Sequence, residues 1–137
     1  MVTSGYVAFA VAREIGGEKI NLSMLLPANA EPHSFEPTPG TIIAVHSAGV
    51  FIYVSPQLEP WVKDILPSVR PGATVVEAAS GAAPSKDPHI WMDFDNMRLM
   101  AQTVEEALVV QLPGQAQTLA QNLAKSNEQL TALDDSY

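Results

Sequence analysis

The chain's patterning predicts an α/β fold, a parallel β-sheet flanked by helices and followed by a long helix. Three observations predict it. Strand-like runs alternate with helix-like ones, the order that gives a parallel sheet with right-handed crossovers. Residues 50–54 and 73–77 are short apolar runs rich in β-branched side chains, the composition of buried parallel strands. From residue 97 onward, apolar residues recur at helical spacing almost to Tyr137.

In order along the chain, Ser4 is a candidate N-cap for a first helix with Val7, Ala8 and Val11 on one face, Ile15 near its end and Gly16-Gly17 as the stop. Residues 19–25 alternate and predict a strand. Prolines at 27, 32, 37 and 39 then break regular structure over a stretch too long for a tight turn, and such loops tend to carry function. Thr38-Pro39 is an N-cap followed by proline in the first turn, predicting a helix to about Ala48. A strand over 50–54, a short helix over 59–66 and a strand over 73–77 follow, then a loop over 78–88 rich in Ser, Gly and Pro. With Asp93 or Asp95 as cap, Met97, Met100, Ala101, Val104 and Leu108 form one helical stripe. Pro113 opens the last helix, with Leu119, Leu123, Leu130, Leu133 and Tyr137 on a shared face.

The 137 residues are one domain's worth of chain by length, and 47% hydrophobic content suffices for a sizeable core. Seven Lys and Arg against fifteen Asp and Glu give a net charge of −8, with no two basic residues adjacent. That balance cannot neutralise a run of phosphates, so it argues against nucleic acid and for a cationic ligand. The absence of cysteine excludes disulfides, zinc thiolates and thiol nucleophiles, leaving His and carboxylates as the donors for any transition metal. The early apolar stretch at residues 6–12 is far short of the ~20 residues that span a bilayer.

One pattern occurs twice: Glu31-Pro32-His33-Ser34-Phe35 and Asp87-Pro88-His89-Ile90-Trp91, an acid, a proline, a histidine, any residue and an aromatic. Both copies follow expected strands and so belong to loops at the carboxyl ends of a parallel sheet, where open α/β folds bind ligands. Neutral imidazole is the commonest metal ligand in proteins. The preceding proline fixes its own φ and keeps the acid extended, which aims the histidine with little loop entropy left to lose. Glu31 or Asp87 can accept the second ring N–H, and the aromatic can wall the site from water. A lone loop histidine is usually just a solvated polar residue; the repetition sets His33 and His89 apart.

His46 lacks these neighbours and is expected to be a surface or half-buried residue of its helix. Trp61 and Trp91 are read first as packing residues, and methionines such as Met92, Met97 and Met100 as core filler. Glu105-Glu106 and Asp134-Asp135 are read as solvated helix faces.

The order Glu31-Pro32-His33-Ser34-Phe35-Glu36-Pro37-Thr38-Pro39, then Leu58-Glu59-Pro60-Trp61, then Asp87-Pro88-His89-Ile90-Trp91-Met92-Asp93, resembles the zinc/manganese substrate-binding proteins of bacterial ABC transporters, the cluster A-I or TroA-like group. The likeness spans almost the whole chain. It implies a periplasmic or otherwise extracytoplasmic, in some cases lipid-anchored, receptor that captures zinc or manganese between two lobes joined by a long helix and delivers it to a membrane permease. His33 and His89 match the family's Pro-His ligands. By the same resemblance, residues 1–112 form an N-terminal metal-binding lobe, 113–137 begin the interlobe helix, and the second lobe with its further ligands is absent. Ser55-Pro56 and Ala48-Gly49 depart from the family's usual residues there. The loop before Asp87 lacks the His-rich insertion of many zinc-specific members, which leaves both metals open.

Two alternatives stand beside this non-catalytic reading: a small zinc hydrolase using the two histidines and a carboxylate, and a structural or adhesive module with a vestigial site. The sequence offers neither an HExxH helix nor a clear general base. The missing donors could also come from a second copy of the chain, a homodimer presenting His33 and His89 twice.

Overall fold

The computed structural model describes residues 1–137 and contains one four-stranded parallel sheet of order β2-β1-β3-β4. The strands are β1 (Val2–Thr3), β2 (Ser23–Met24), β3 (Val50–Tyr53) and β4 (Thr74–Glu77). The helices are α1 (Tyr6–Gly16), α2 (Pro39–Ser47), α3 (Val62–Ile65), α4 (Phe94–Gln111) and α5 (Ala116–Ser136). None is long and apolar enough to cross a membrane.

Helices cover both faces of the sheet, and β3 shows why its sequence has no polar alternation. Val50, Ile52 and Val54 face α1, α4 and α5, where they join Ile15, Val104, Leu108 and Leu119. Phe51 and Tyr53 face the other way and pack with Val45 of α2 and Val62 and Ile65 of α3. All four residues of β3 are buried. Each large side chain so placed contributes about 1.5–3 kcal/mol relative to exposure.

The helix ends largely follow the sequence signals. Thr38 caps α2 reciprocally: its hydroxyl accepts from the Thr41 amide at 3.3 Å, and the Thr41 hydroxyl accepts from the Thr38 amide at 3.2 Å. Asp93, not Asp95, caps α4 by accepting from the Asn96 amide at 3.0 Å. Gly17 ends α1 at φ +54, a left-handed conformation that costs glycine little.

Several expectations are corrected. The strand expected over 19–25 shrinks to Ser23–Met24, because Gly17–Lys19 form a 3-10 turn whose Gly17 carbonyl accepts from Arg13 at 2.6 Å. The two-residue β1 is too short to leave a periodic signal, yet it lies at the middle of the sheet. β4 is an edge strand: Val76 is buried, whereas Val75 is 43% exposed. The helix expected over 59–66 is one α-turn, α3, followed by a 3-10 turn over Leu66–Ser68. Met92 is 78% exposed rather than core, while Met100 is fully buried. Asp134 is not merely solvated, since it accepts from Arg98 at 3.2 Å and ties α5 to α4. α5 also anchors to α1, where Asn122 donates to the Ile15 carbonyl at 2.8 Å, but Leu133 and Tyr137 are exposed.

Ser4 does not cap α1. Its amide donates to the Ile52 carbonyl at 2.8 Å and its carbonyl accepts from Leu26 at 2.9 Å, extending the sheet by one residue. Its hydroxyl donates to the Glu59 carboxylate, whose other oxygen accepts from the Val54 amide at 2.8 Å. Glu59 is 1% exposed, and burial pushes its pKa above the ordinary 4.5, against the lowering effect of the donors from Ser4, Val54 and Ser55.

A carboxyl with a raised folded pKa contributes stability that is fully present below its unfolded value and is lost as pH rises through the folded value. Glu59→Gln keeps the shape and removes this titration: its single oxygen accepts from the Val54 amide, while its NH2 donates to the Ser4 hydroxyl in place of accepting from it. In urea denaturation, the variant is expected to be at least as stable as the parent at pH 7. The parent should then gain on the variant as pH falls toward 4.5. A difference that stays flat with pH would contradict the assignment.

Candidate metal centre

β2 and β4 are the outer strands, three spacings apart, roughly 14 Å at ~4.8 Å per strand. The loops leaving their carboxyl ends carry His33 and His89, and both fold inward over the ends of β1 and β3. There the imidazole centres lie 5.5 Å apart, with the rings at 86°. Two imidazoles bound to one tetrahedral zinc at ~2.0–2.1 Å would hold their centres roughly 5 Å apart. The crevice is the switch point of the sheet, since β2 lies to one side of β1 and the later strands to the other.

The two matching segments work differently. Asp87 accepts from the His89 amide at 2.9 Å and from the His89 ring Nδ1 at 2.7 Å. An ionised carboxylate only accepts, so in the neutral ring the proton sits on Nδ1 and Nε2 is left with its lone pair. Glu31 instead accepts from the backbone amides of His33 and Ser34 and from the Ser34 hydroxyl, all at 2.9 Å. Its oxygen is 3.8 Å from His33 Nε2, too far for a hydrogen bond, so it shapes the loop without orienting the ring. The His33 amide holds Glu31, and the His89 amide and ring hold Asp87, below the ordinary carboxylate range. Both therefore stay ionised near neutrality and favour a cation beside the rings.

The aromatics also divide. Trp91 lies against the His89 ring, with centres 5.2 Å apart, and partly walls it as expected. Phe35 turns away from His33 and packs edge-on against Trp61 at 4.8 Å. Trp61 is buried, as its packing reading implied, and its indole N–H also donates to the Pro32 carbonyl at 2.9 Å. An apolar cavity of about 240 Å³ beside the histidines is lined by Tyr6, Leu26, Pro32, Leu58 and Trp91, with Glu59 at its wall. His46 is exposed on α2, with Nδ1 3.1 Å from the Ser68 carbonyl oxygen, and takes no part in the site.

No group of three or more His, Asp or Glu side chains is close enough to hold an ion, so the arrangement offers two nitrogens and open coordination positions. The sequence does not reveal that Glu59 joins two strand ends or that the Trp61 indole reaches the Pro32 carbonyl. An acid inside the otherwise apolar Leu58-Glu59-Pro60-Trp61 was the available signal.

A parallel α/β layer with paired imidazoles at its switch point is the architecture of a binding protein, and the two ring nitrogens are donors suited to a divalent cation. The chain belongs to the family described as ZnuA, zinc-uptake complex component A periplasmic, which it matches over residues 1–137. That is a family of metal-uptake binding proteins rather than of enzymes. The zinc-binding lipoprotein AdcA of Streptococcus pneumoniae is 24% identical over 158 residues, covering 100% of this chain and 32% of AdcA. The manganese ABC transporter substrate-binding lipoprotein scaA of Streptococcus gordonii is 27% identical, over 98% of this chain and 48% of its own length. Among solved structures, the metal-dependent lipoprotein YcdH of Bacillus subtilis superposes with a TM-score of 0.93 at 28% identity, covering 99% of this chain and 53% of that one. The chain thus spans a third to a half of the curated relatives and about half of that structure.

Removing the Asp87 carboxylate should release the His89 ring. In the metal-free chain, Asp87→Ala is expected to give nitrogen-15 ring shifts averaged between tautomers, whereas Asp87→Asn keeps an acceptor and stays close to the parent. Unchanged ring shifts in Asp87→Ala would show that the carboxylate does not set the tautomer.

Proposed function

We propose that this chain is the N-terminal, metal-capturing lobe of an extracytoplasmic receptor that takes up zinc or manganese as cargo and passes it to an ABC-type permease in the membrane. It acts without catalysis. The observation that carries this reading is the pairing of His33 and His89 at 5.5 Å from loops on opposite edges of the sheet. A purely structural use of either loop gives no reason for two imidazoles to meet there. Residues 1–112 form the lobe, and 113–137 lead toward a second one by way of α5, whose first turns still pack on the lobe through Leu119 and Asn122; the exposure of Leu133 farther along α5 supports this reading.

Zinc prefers four donors in a tetrahedron, so two nitrogens make an open, weak half-site. The greater length of the relatives favours a second lobe over a second copy of this chain as the source of the remaining donors. The donors present here suit zinc, and manganese would draw more on added carboxylates, so the missing ligands decide between the metals. The zinc-binding and manganese-transport relatives support keeping both. Lipid anchorage is part of the proposal through the same two lipoproteins.

Calorimetric titration with zinc and with manganese tests the site. His33→Ala and His89→Ala are each expected to weaken binding by about tenfold or more, and the double variant to abolish it. Binding should also weaken on acidification, because imidazole ligates only when neutral. Parent-like affinity in both single variants would defeat the assignment.

A further inference from the structure

The segment Leu58-Glu59-Pro60-Trp61 makes no hydrogen bond or ring pairing with either imidazole, yet it joins the core to the loop that carries one of them. Its base is fixed at the switch point. The Leu58 amide donates to the Ser55 hydroxyl at 3.2 Å and the Glu59 amide to the Ser55 carbonyl at 3.0 Å. The Glu59 side chain takes the Ser4 hydroxyl at the end of β1 and the Val54 amide at the end of β3. Leu58, Glu59 and Trp61 are at most 4% exposed, so the segment is held by packing as well as by hydrogen bonds.

The His33 loop has little else to hold it. Apart from the Trp61 indole bond to the Pro32 carbonyl, the hydrogen bonds of residues 27–37 stay inside the loop: Ala30 to Pro27, and His33 and Ser34 to Glu31. The bond accepted by Pro32 reaches across 29 residues to the position immediately before His33, and Phe35 packs on the same indole from the other side of the histidine. His33 is therefore bracketed by two contacts to one buried side chain. His89 differs, because Asp87 already orients its ring.

We propose that Trp61 is a positioning residue for His33: anchored to the strand ends through Glu59, it holds Pro32 and Phe35 and so fixes the His33 imidazole opposite His89. The consequence for metal capture rests on the reading that His33 ligates the cargo. The positioning itself does not.

The test separates the two. In the metal-free chain, the nuclear Overhauser contact between the His33 and His89 rings reports their pairing, and the stacked Phe51–Tyr53 pair, with centres 5.8 Å apart, serves as an internal control in the core. Trp61→Phe removes the indole donor and retains an aromatic ring for Phe35. It is expected to lose at least half of the His33–His89 contact while leaving Phe51–Tyr53 unchanged. The zinc dissociation constant should rise roughly three- to tenfold, the scale of one lost hydrogen bond.

Should Trp61→Phe fold poorly, the benzothienyl isostere of tryptophan, which replaces only N–H by sulfur, gives the same reading without loss of volume. A His33–His89 contact of parent intensity in the folded variant overturns the proposal. Absence of zinc binding by the parent chain would defeat the metal reading and leave the ring-contact result standing on its own.

Discussion

A carboxyl group sealed from water must find donors, and Glu59 finds them at the ends of two strands. Its contacts to the Ser4 hydroxyl and the Val54 amide fasten the first turn after β3 onto the top of β1, where the strand order reverses. Burying an ionisable group there is costly, as its raised pKa reflects. In return, the strand ends are tied to one another beneath the crevice, and the loops from the outer strands cross above them. Without that tie, the long proline-broken loop after β2 would have little to lean on.

The two Pro-His segments show how one local pattern can do two jobs. The acid of the second segment, Asp87, reaches the imidazole and sets which nitrogen is free. The acid of the first, Glu31, is one methylene longer and folds back onto the backbone and Ser34 instead. The aromatics part company in the same way, Trp91 against its own histidine and Phe35 against Trp61. One imidazole is oriented by its own segment and the other through the core.

On the proposed reading, this division suits a receptor that must release what it captures. Two nitrogens on one lobe hold a metal weakly, so tight binding depends on donors brought from elsewhere and disappears when those donors withdraw. The flanking carboxylates, ionised and largely exposed, draw cations toward the rings without completing the coordination shell.

The sequence by itself determined the α/β class, the buried strand β3, the cap of α2, the stop at Gly17 and the two histidines on loops at the carboxyl edge, because each of these is written in a few adjacent residues. The family likeness rested on such short segments too. β1 stayed invisible because two residues carry no period, and the burial of β4 was overstated because sequence does not say which strand lies at an edge. The functions of Ser4, Glu59 and Trp61 also waited on the tertiary structure, since their partners lie 55, 5 and 29 residues away and no local pattern links them. Most of all, only the sheet order β2-β1-β3-β4 decided that loops from opposite edges would meet: the separation of His33 and His89 depends on how far each loop crosses the strand ends, a long-range packing result that local propensity does not encode.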